Sequence, residues 1–531
     1  MIVVLVAFPA AAAVAAFFIR SNPLRRGLLV AAAAAHAALT AWCGVDRARF
    51  APVGDWLAVD AAGLLFLGIT SLLFLVVSIY TAGFLARERP GMREDSEEGF
   101  LFSNSPEALF TACLLGFLSA MTLVTVSRHF GLLWVAVEAT TLVSAPLISF
   151  HRHHRSLEAT WKYLLICSVG IAAALLGTYF LSASAAGTGA ELSFSSMLAR
   201  APGLNATWLK AAFVLLLVGY GTKMGLSPLH TWLPDAHSEA PSPVSALLSG
   251  ALLNCAFLAI LRVHSLMGAA GLGGFSRDTL LLFGLVSMVT AAVFIVGQPD
   301  YKRMLAYSSV ENMGILAVGI GLGGLGDWGS LYHAVNHSLI KAALFLTAGN
   351  ILAAYATKKS GEVRGLVSAS PVTGFAWLAG FFAITGAPPF GSFLSELSIL
   401  RAAVEKGSYG VAVVYAAALA AVFVGMVVIV VTMVQGGRVG IPGAAAAHGA
   451  AGALAGAGVD APPPRAEDHT AHAREGAPSY ALSAPIPVRI RESILAAAPP
   501  VALLAVSAAL GLFVPGFLDR LLGEAVRLWG G

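Results

Sequence analysis

Apolar runs of about 18 or more residues recur along almost the whole of this chain, each long enough to cross a hydrocarbon core of about 30 Å as a helix. About fourteen can be placed, over residues 2–19, 27–44, 57–86, 107–126, 129–150, 157–183, 207–228, 241–267, 278–297, 303–325, 328–355, 371–394, 408–435 and 493–517. In lipid every backbone N–H and C=O must find its partner within the protein, so serial spans dictate an all-α, polytopic membrane protein. Composition decides one point: 11% of the 531 residues are charged, whereas a soluble protein carries about a quarter.

No basic residue precedes the first run; Arg20, Arg25 and Arg26 follow it. It therefore reads as a retained span rather than a cleaved signal. Short loops rich in Lys and Arg stay cytoplasmic, which places both termini on the outer side. Residues 1–106 hold three spans and a charged loop at 87–106 that is expected to be solvated. Residues 107–267 and 278–435 are two sets of five spans, 436–490 an Ala/Gly/Pro-rich flexible loop, and 491–531 the last span with a short tail. Five is odd, so a second copy of such a set enters the membrane from the opposite side, and the two sets are expected to form an inverted repeat. On that alignment Glu138 answers to Glu311, Lys162 to Lys341 and Lys223 to Glu396.

A net charge of +4 spread over the loops offers no nucleic-acid surface. Cys43, Cys113, Cys167 and Cys255 fall singly in or at the ends of apolar runs, without CxxC or any metal-ligand spacing. No glycine-rich phosphate loop and no dinucleotide fingerprint occurs. The chain is therefore expected to hold no metal, no cofactor and no catalytic residue of its own; redox chemistry belongs to a partner.

Of the eight lysines, Lys162, Lys223 and Lys341 stand out inside apolar spans. A charge at the centre of a spanning helix costs about 2.5–3.5 kcal/mol even on a lenient scale, so such residues mark ion or proton paths. Burial favours the neutral amine and a nearby carboxylate favours the ammonium; a lysine that gains or loses its partner is a switchable proton site. Glu138 is the expected partner of Lys223, either as part of that switch or as a static pair joining helices. Lys162 follows His151, Arg152, His153, His154 and Arg155, a cluster expected at a solvated interface, and can alternatively snorkel there.

In LYHAVNHSLIKAALFLTAGN, His333, His337 and Lys341 recur every four residues and share a helix face. Imidazoles on that face can relay protons; polar packing is the plainer alternative, and a metal would lack a third ligand. Gly225-x-x-Pro228 and Gly386-x-x-Pro389 are expected to break spans seven and twelve, exposing hydrated backbone beside Lys223 and Glu396. The stretch HTWLPDAHSEAPSPVS, with His230, Asp235, His237 and Glu239, either routes protons to the aqueous side or caps helices.

GTKMGLSPLHTWLPDAHSEAPSPVSALL, DYKRMLAYSSVENMGI and HAVNHSLIKAALFLTAGN occur in this order. Together they resemble the antiporter-like membrane subunits shared by respiratory complex I, Mrp-type cation/proton antiporters and membrane-bound hydrogenases, over about residues 60 to 435. WVAVEATTLVSAPLI and RSLEATWKYLLICSVGIAAALLG look most like the hydrogenase-4 component F branch. The resemblance implies about fourteen helices with the seventh and twelfth broken. It implies Glu138 and Lys223 as a proton-site pair, Lys341 with His333 and His337 as the central relay, and Glu396 as the exit. It further implies a bacterial or archaeal cell membrane, other membrane subunits, and a soluble redox arm with nickel–iron and iron–sulfur centres whose electron transfer drives proton transport. A subunit of an Mrp-type antiporter, and an inert anchor for hydrogenase, are the alternatives. Helix eight departs from the pattern: complex I members carry Lys or His where this chain has Asn254 and Ser249. Neither titrates, so a bridge between half-channels must use water, neighbouring histidines or another route.

Overall fold

A computed structural model describes residues 1–88, 91–94, 101–435 and 490–529. All but the last residue of the expected 436–490 loop lies outside them. The helices are α1 (Ile2–Phe18), α2 (Asn22–Val45), α3 (Ala61–Arg87), α4 (Glu107–Val126), α5 (Phe130–Ile148), α6 (His154–Ser184), α7 (Phe194–Ala199), α8 (Ala206–Met224), α9 (Trp232–Glu239) and α10 (Ser242–Leu247). They continue with α11 (Leu253–Ala269), α12 (Gly273–Ile295), α13 (Tyr301–Leu322), α14 (Leu325–Tyr355), α15 (Leu366–Ala369), α16 (Pro371–Ile384), α17 (Gly391–Glu405), α18 (Tyr409–Gln435), α19 (Ile494–Leu512) and α20 (Gly516–Val526). Counting α10 and α11 as one helix, 11 among the described residues are long and apolar enough to cross a membrane. The other expected spans fall on α1, of 17 residues, and on two interrupted helices, α8–α9 and α16–α17.

Hydrogen-bonding side chains set several of the starts. Asp60 accepts from the Gly63 amide at α3, Asn205 from Thr207 and Trp208 at α8, and Asp300 from Lys302 and Arg303 at α13, each satisfying donors that a helix N-terminus leaves open. Small residues set the closest crossings. Gly284 of α12 and Gly314 of α13 face each other so tightly that a Cβ on either would meet the other's carbonyl oxygen at 2.8 and 2.7 Å. Gly219 of α8 lies equally close to Gly170 and Ala174 of α6. Membrane helices associate through such backbone approach, because lipid offers no hydrophobic drive. The resulting core is α10–α11, α13 and α14, buried almost throughout and wrapped by the remaining helices.

One loop expectation needs correction and another gains detail. In the segment after α3, β1 (Met92–Glu94) pairs antiparallel with β2 (Leu101–Ser103), with Met92 and Leu101 exposed. The His151 cluster is only partly solvated. His151 bonds Asn104 at 2.9 Å and packs edge-on among Phe84, Phe102 and Phe150, and His153 caps α6. On the opposite side of the bundle, burial would raise the Asp60 carboxyl, but Arg262 and Arg128 beside it and the Gly63 amide hold it below the usual carboxylate range. This ion cluster ties the start of α3 to the α4–α5 turn and to the end of α11.

Candidate functional site

The first interruption follows α8. Gly225 closes the helix in the left-handed region (φ 84°), a cis Ser227–Pro228 bond follows, and α9 restarts at Trp232. Side chains take up backbone groups freed by the break. Trp232 Nε1 donates to the Thr222 carbonyl at 2.8 Å, and the Ser227 amide donates to Ser287 Oγ at 2.9 Å. Lys223, two residues before the glycine, has no exposed surface. Its Nζ donates to Thr141 Oγ1 at 2.9 Å and to the Tyr163 hydroxyl, and lies 4.4 Å from the Tyr163 ring centre. Glu138 is reached only indirectly: Thr141 Oγ1 donates to its Oε2 at 3.3 Å. The expected Glu138–Lys223 pair is thus bridged by a hydroxyl one helical turn beyond Glu138 on α5.

The second interruption separates α16 from α17. Gly386 sits at φ 69°, Pro388–Pro389 is cis, and Ser392 Oγ donates to the Ala383 carbonyl. Glu396 is buried on α17 with its Oε1 unbonded. Its carboxylate lies where a Cβ of Gly386 would be. The last long helix, α19, covers this break: Gly511 packs on the backbone of Pro389 to Gly391, and Leu510 O accepts from the Tyr332 hydroxyl at 2.5 Å.

Between the breaks runs α14. His333 bonds Ser395 Oγ at 2.9 Å through Nδ1 and Asn312 Oδ1 at 3.0 Å through Nε2. His337, one turn on, is fully buried with neither ring nitrogen bonded. Lys341 Nζ donates to the Leu305 carbonyl at 2.8 Å and to Ser308 Oγ. Glu311 is buried within electrostatic reach of both Lys341 and Glu396. On this face His333 reaches α13 and α17 and Lys341 reaches α13, while His337 between them bonds to neither.

The eighth expected span, α10–α11, meets this axis through a π-helical turn at Leu248–Leu252, a distortion frequent at functional sites. Ser249 Oγ stands 2.8 Å from Ser309 Oγ, and Asn254 Nδ2 donates to Ser338 Oγ at 2.6 Å. The non-titrating positions of α10–α11 thus supply hydroxyl and amide contacts to α13 and α14.

His237 of α9 is fully buried, unbonded at both nitrogens, and stacked on Phe345 with ring centres 4.9 Å apart. His230 packs near the Tyr307 ring with Nδ1 unbonded. Lys162 does not join the axis. Its side chain is 45% exposed and pairs with Glu158 at 2.7 Å and Asp235 at 2.9 Å, which realises the snorkelling alternative. Sequence reading missed Thr141, Tyr163, Asn312 and Ser395, whose residue types carry no signal of their own. It also passed over Lys302, in DYKRM, whose buried Nζ donates to the Ser238 and Ala240 carbonyls at 2.9 and 2.7 Å. Among the described residues no group of three or more His, Cys, Asp or Glu is placed to hold a metal ion.

A helical bundle with ionisable groups buried between two interrupted helices defines an antiporter-like membrane subunit. The chain belongs to the NADH:quinone oxidoreductase/Mrp antiporter transmembrane family, which matches residues 127–423. It is 37% identical over 362 residues to a hydrogenase-4 component F homolog of Methylacidiphilum infernorum, covering 67% of this chain and 74% of that protein. It is 32% identical over 368 residues to hydrogenase-4 component B of Escherichia coli, covering 66% of this chain but only 52% of that longer protein. Its fold matches a chain of the Mrp complex from Dietzia with a TM-score of 0.75 at 21% identity, over 99% of this chain and 97% of that one.

Proposed function

We propose that this chain moves protons across a bacterial or archaeal cell membrane as a subunit of a hydrogenase-4/formate hydrogenlyase-like or NADH dehydrogenase-like redox complex. Other membrane subunits would flank it, and a soluble arm with nickel–iron and iron–sulfur centres would supply the energy. The observation that carries the reading is the set of buried ionisable groups, with Lys223 and Glu396 each beside a helix break and His333, His337 and Lys341 on one face of α14. Intramembrane charges are costly and persist where they mark an ion path. The kinship to hydrogenase-4 components favours a redox partner.

In this reading the two five-span sets act as inverted halves and both termini face outward. A change in the Glu138–Thr141–Lys223 linkage alters the proton affinity of Lys223. That change biases Lys341, the histidines of α14 pass the proton on, and Glu396 releases it. Lys223→Ala in membrane vesicles is expected to abolish acidification driven by hydrogen, formate or NADH while the complex still assembles; normal pumping would refute the scheme. Transport that needs a monovalent cation and runs without electron donor would instead assign antiport.

A further inference from the structure

α6 is 31 residues long, about 46 Å of helix, and so overruns a hydrocarbon core of about 30 Å. Its first turns stand in the headgroup layer, at the end of the bundle where Phe102 of the hairpin packs on His153. Four charges meet there. Glu158 pairs with Lys162 at 2.7 Å, Lys162 with Asp235 of α9 at 2.9 Å, and Asp235 with Arg303 of α13. Glu158, Lys162 and Arg303 stay exposed, so anion and cation alternate along an accessible row. Trp161 beside them is exposed as well, in the manner of tryptophans at a membrane interface.

One helical turn beyond Lys162 the polar row gives way to an apolar groove of about 320 Å3 between α6 and α8. Leu165, Val169 and Ala173 wall it on α6, Val218 and Thr222 on α8, and Leu229 in the interruption between α8 and α9. Positions 162, 165, 169 and 173 share one face of a helix, so row and groove follow a single line. The floor of the groove is a close crossing: a Cβ on Gly170 would meet the Thr222 side chain at 2.7 Å. Leu165 and Val169 are exposed, so the groove opens towards lipid. Its inner wall is thin, because Thr222 immediately precedes the buried Lys223. Peptide groups freed by a helix break survive at membrane depth only where protein or a water-filled cavity receives them. The bilayer side of this break therefore calls for an apolar filler.

We propose that this face is a specific site for one phospholipid with a primary-amine headgroup, a phosphatidylethanolamine. One acyl chain fills the groove and covers the bilayer side of the break. The phosphate takes the Lys162 and Arg303 cations through charge-assisted hydrogen bonds, and the ammonium donates to the Glu158 carboxylate. Charge complementarity selects this class of lipid. Phosphatidylglycerol offers no cation to Glu158, and the choline group of phosphatidylcholine has a cation that carries no N–H donor. Exposed ion pairs within a protein contribute little, so exchanging them for lipid contacts is nearly free. The site lies outside the proposed proton path and does not depend on the proton-transport reading.

The test puts photoactivatable benzoylphenylalanine in place of Leu165 in the assembled complex. The complex is reconstituted in vesicles of equal parts phosphatidylethanolamine, phosphatidylglycerol and phosphatidylcholine, and mass spectrometry identifies what illumination captures. The expected product is a phosphatidylethanolamine adduct, enriched about fivefold over the other two lipids. The same probe in place of Val428, an exposed position of α18, is expected to capture the three lipids evenly. Removing both cations, with Lys162→Gln and Arg303→Gln together, is expected to abolish the enrichment. An adduct with a peptide of another subunit overturns the proposal and makes this face a protein interface. Even capture of the three lipids in place of Leu165 overturns it as well, leaving ordinary bilayer contact. Should the doubly substituted chain fail to assemble, the comparison of the two probe positions in the otherwise unaltered chain decides.

Discussion

Lys223 and Glu396 each stand beside a Gly-x-x-Pro break, yet the lysine has its hydrogen bonds made and the glutamate does not. Lys223 is held by the Thr141 and Tyr163 hydroxyls and lies over aromatic rings. Hydroxyls can accept from an ammonium and donate back to an amine, so this shell serves both protonation states. Glu396 lies against Gly386 with one oxygen unbonded, and such a group draws its donor from water. The first break thus holds its lysine in a closed hydroxyl shell, whereas the second leaves its carboxylate for water to satisfy.

The largest effect is expected at this lysine. Lys223→Ala should abolish coupled transport and also remove one hydrogen bond each from the Thr141 and Tyr163 hydroxyls, which keep Glu138 and Ser144 as partners, lowering stability by about 1–3 kcal/mol in all. Thermal unfolding of the purified complex beside a vesicle assay separates the two losses. Glu396→Gln should lower transport by about tenfold or more while barely moving the unfolding temperature, since the oxygen it alters has no bond to lose. A Glu396→Gln variant less stable than Lys223→Ala would break the contrast. Full activity in both would favour an inert anchor.

The glycines sharpen the same contrast at a smaller scale. Gly225 and Gly386 both have positive φ, 84° and 69°, so alanine at either costs about 1–2 kcal/mol in backbone conformation. A Cβ at Gly225 meets only the far end of the Leu233 side chain, which can turn away, whereas a Cβ at Gly386 lands on the Glu396 carboxylate. Gly386→Ala is therefore expected to impair transport several times more than Gly225→Ala. Equal losses would mean that the breaks act through backbone shape alone.

The span order and both breaks were legible because hydropathy and the Gly-x-x-Pro spacing are local signals. Lys223, Lys341 and Glu396 were legible for a related reason: a charge inside an apolar run needs no partner to be noticed. What surrounds them was not. Thr141, Tyr163, Asn312 and Ser395 are ordinary residues until packing brings them to an ionisable group, and the hydroxyl between Glu138 and Lys223 depends on how α5, α6 and α8 cross. Lys302 was overlooked because it begins its span, where a lysine usually reaches water; its burial arises from the α9–α10 turn folding over it.

Lys162 and Lys341, matched by the repeat alignment, differ in burial, and Lys162 gives the smallest expected effect. Its counterpart on that alignment, Lys341, is fully buried, but Lys162 lies on the outer face of α6 between Glu158 and Asp235. Asp235 is also paired with Arg303, so it keeps a cation when Lys162 is removed. Exposed ion pairs contribute about 0.2–1 kcal/mol, and Lys162→Ala should stay within that range in thermal unfolding while transport remains near that of the parent. Loss of transport comparable to Lys223→Ala would return Lys162 to the proton path and make the two halves functionally alike despite their different burial.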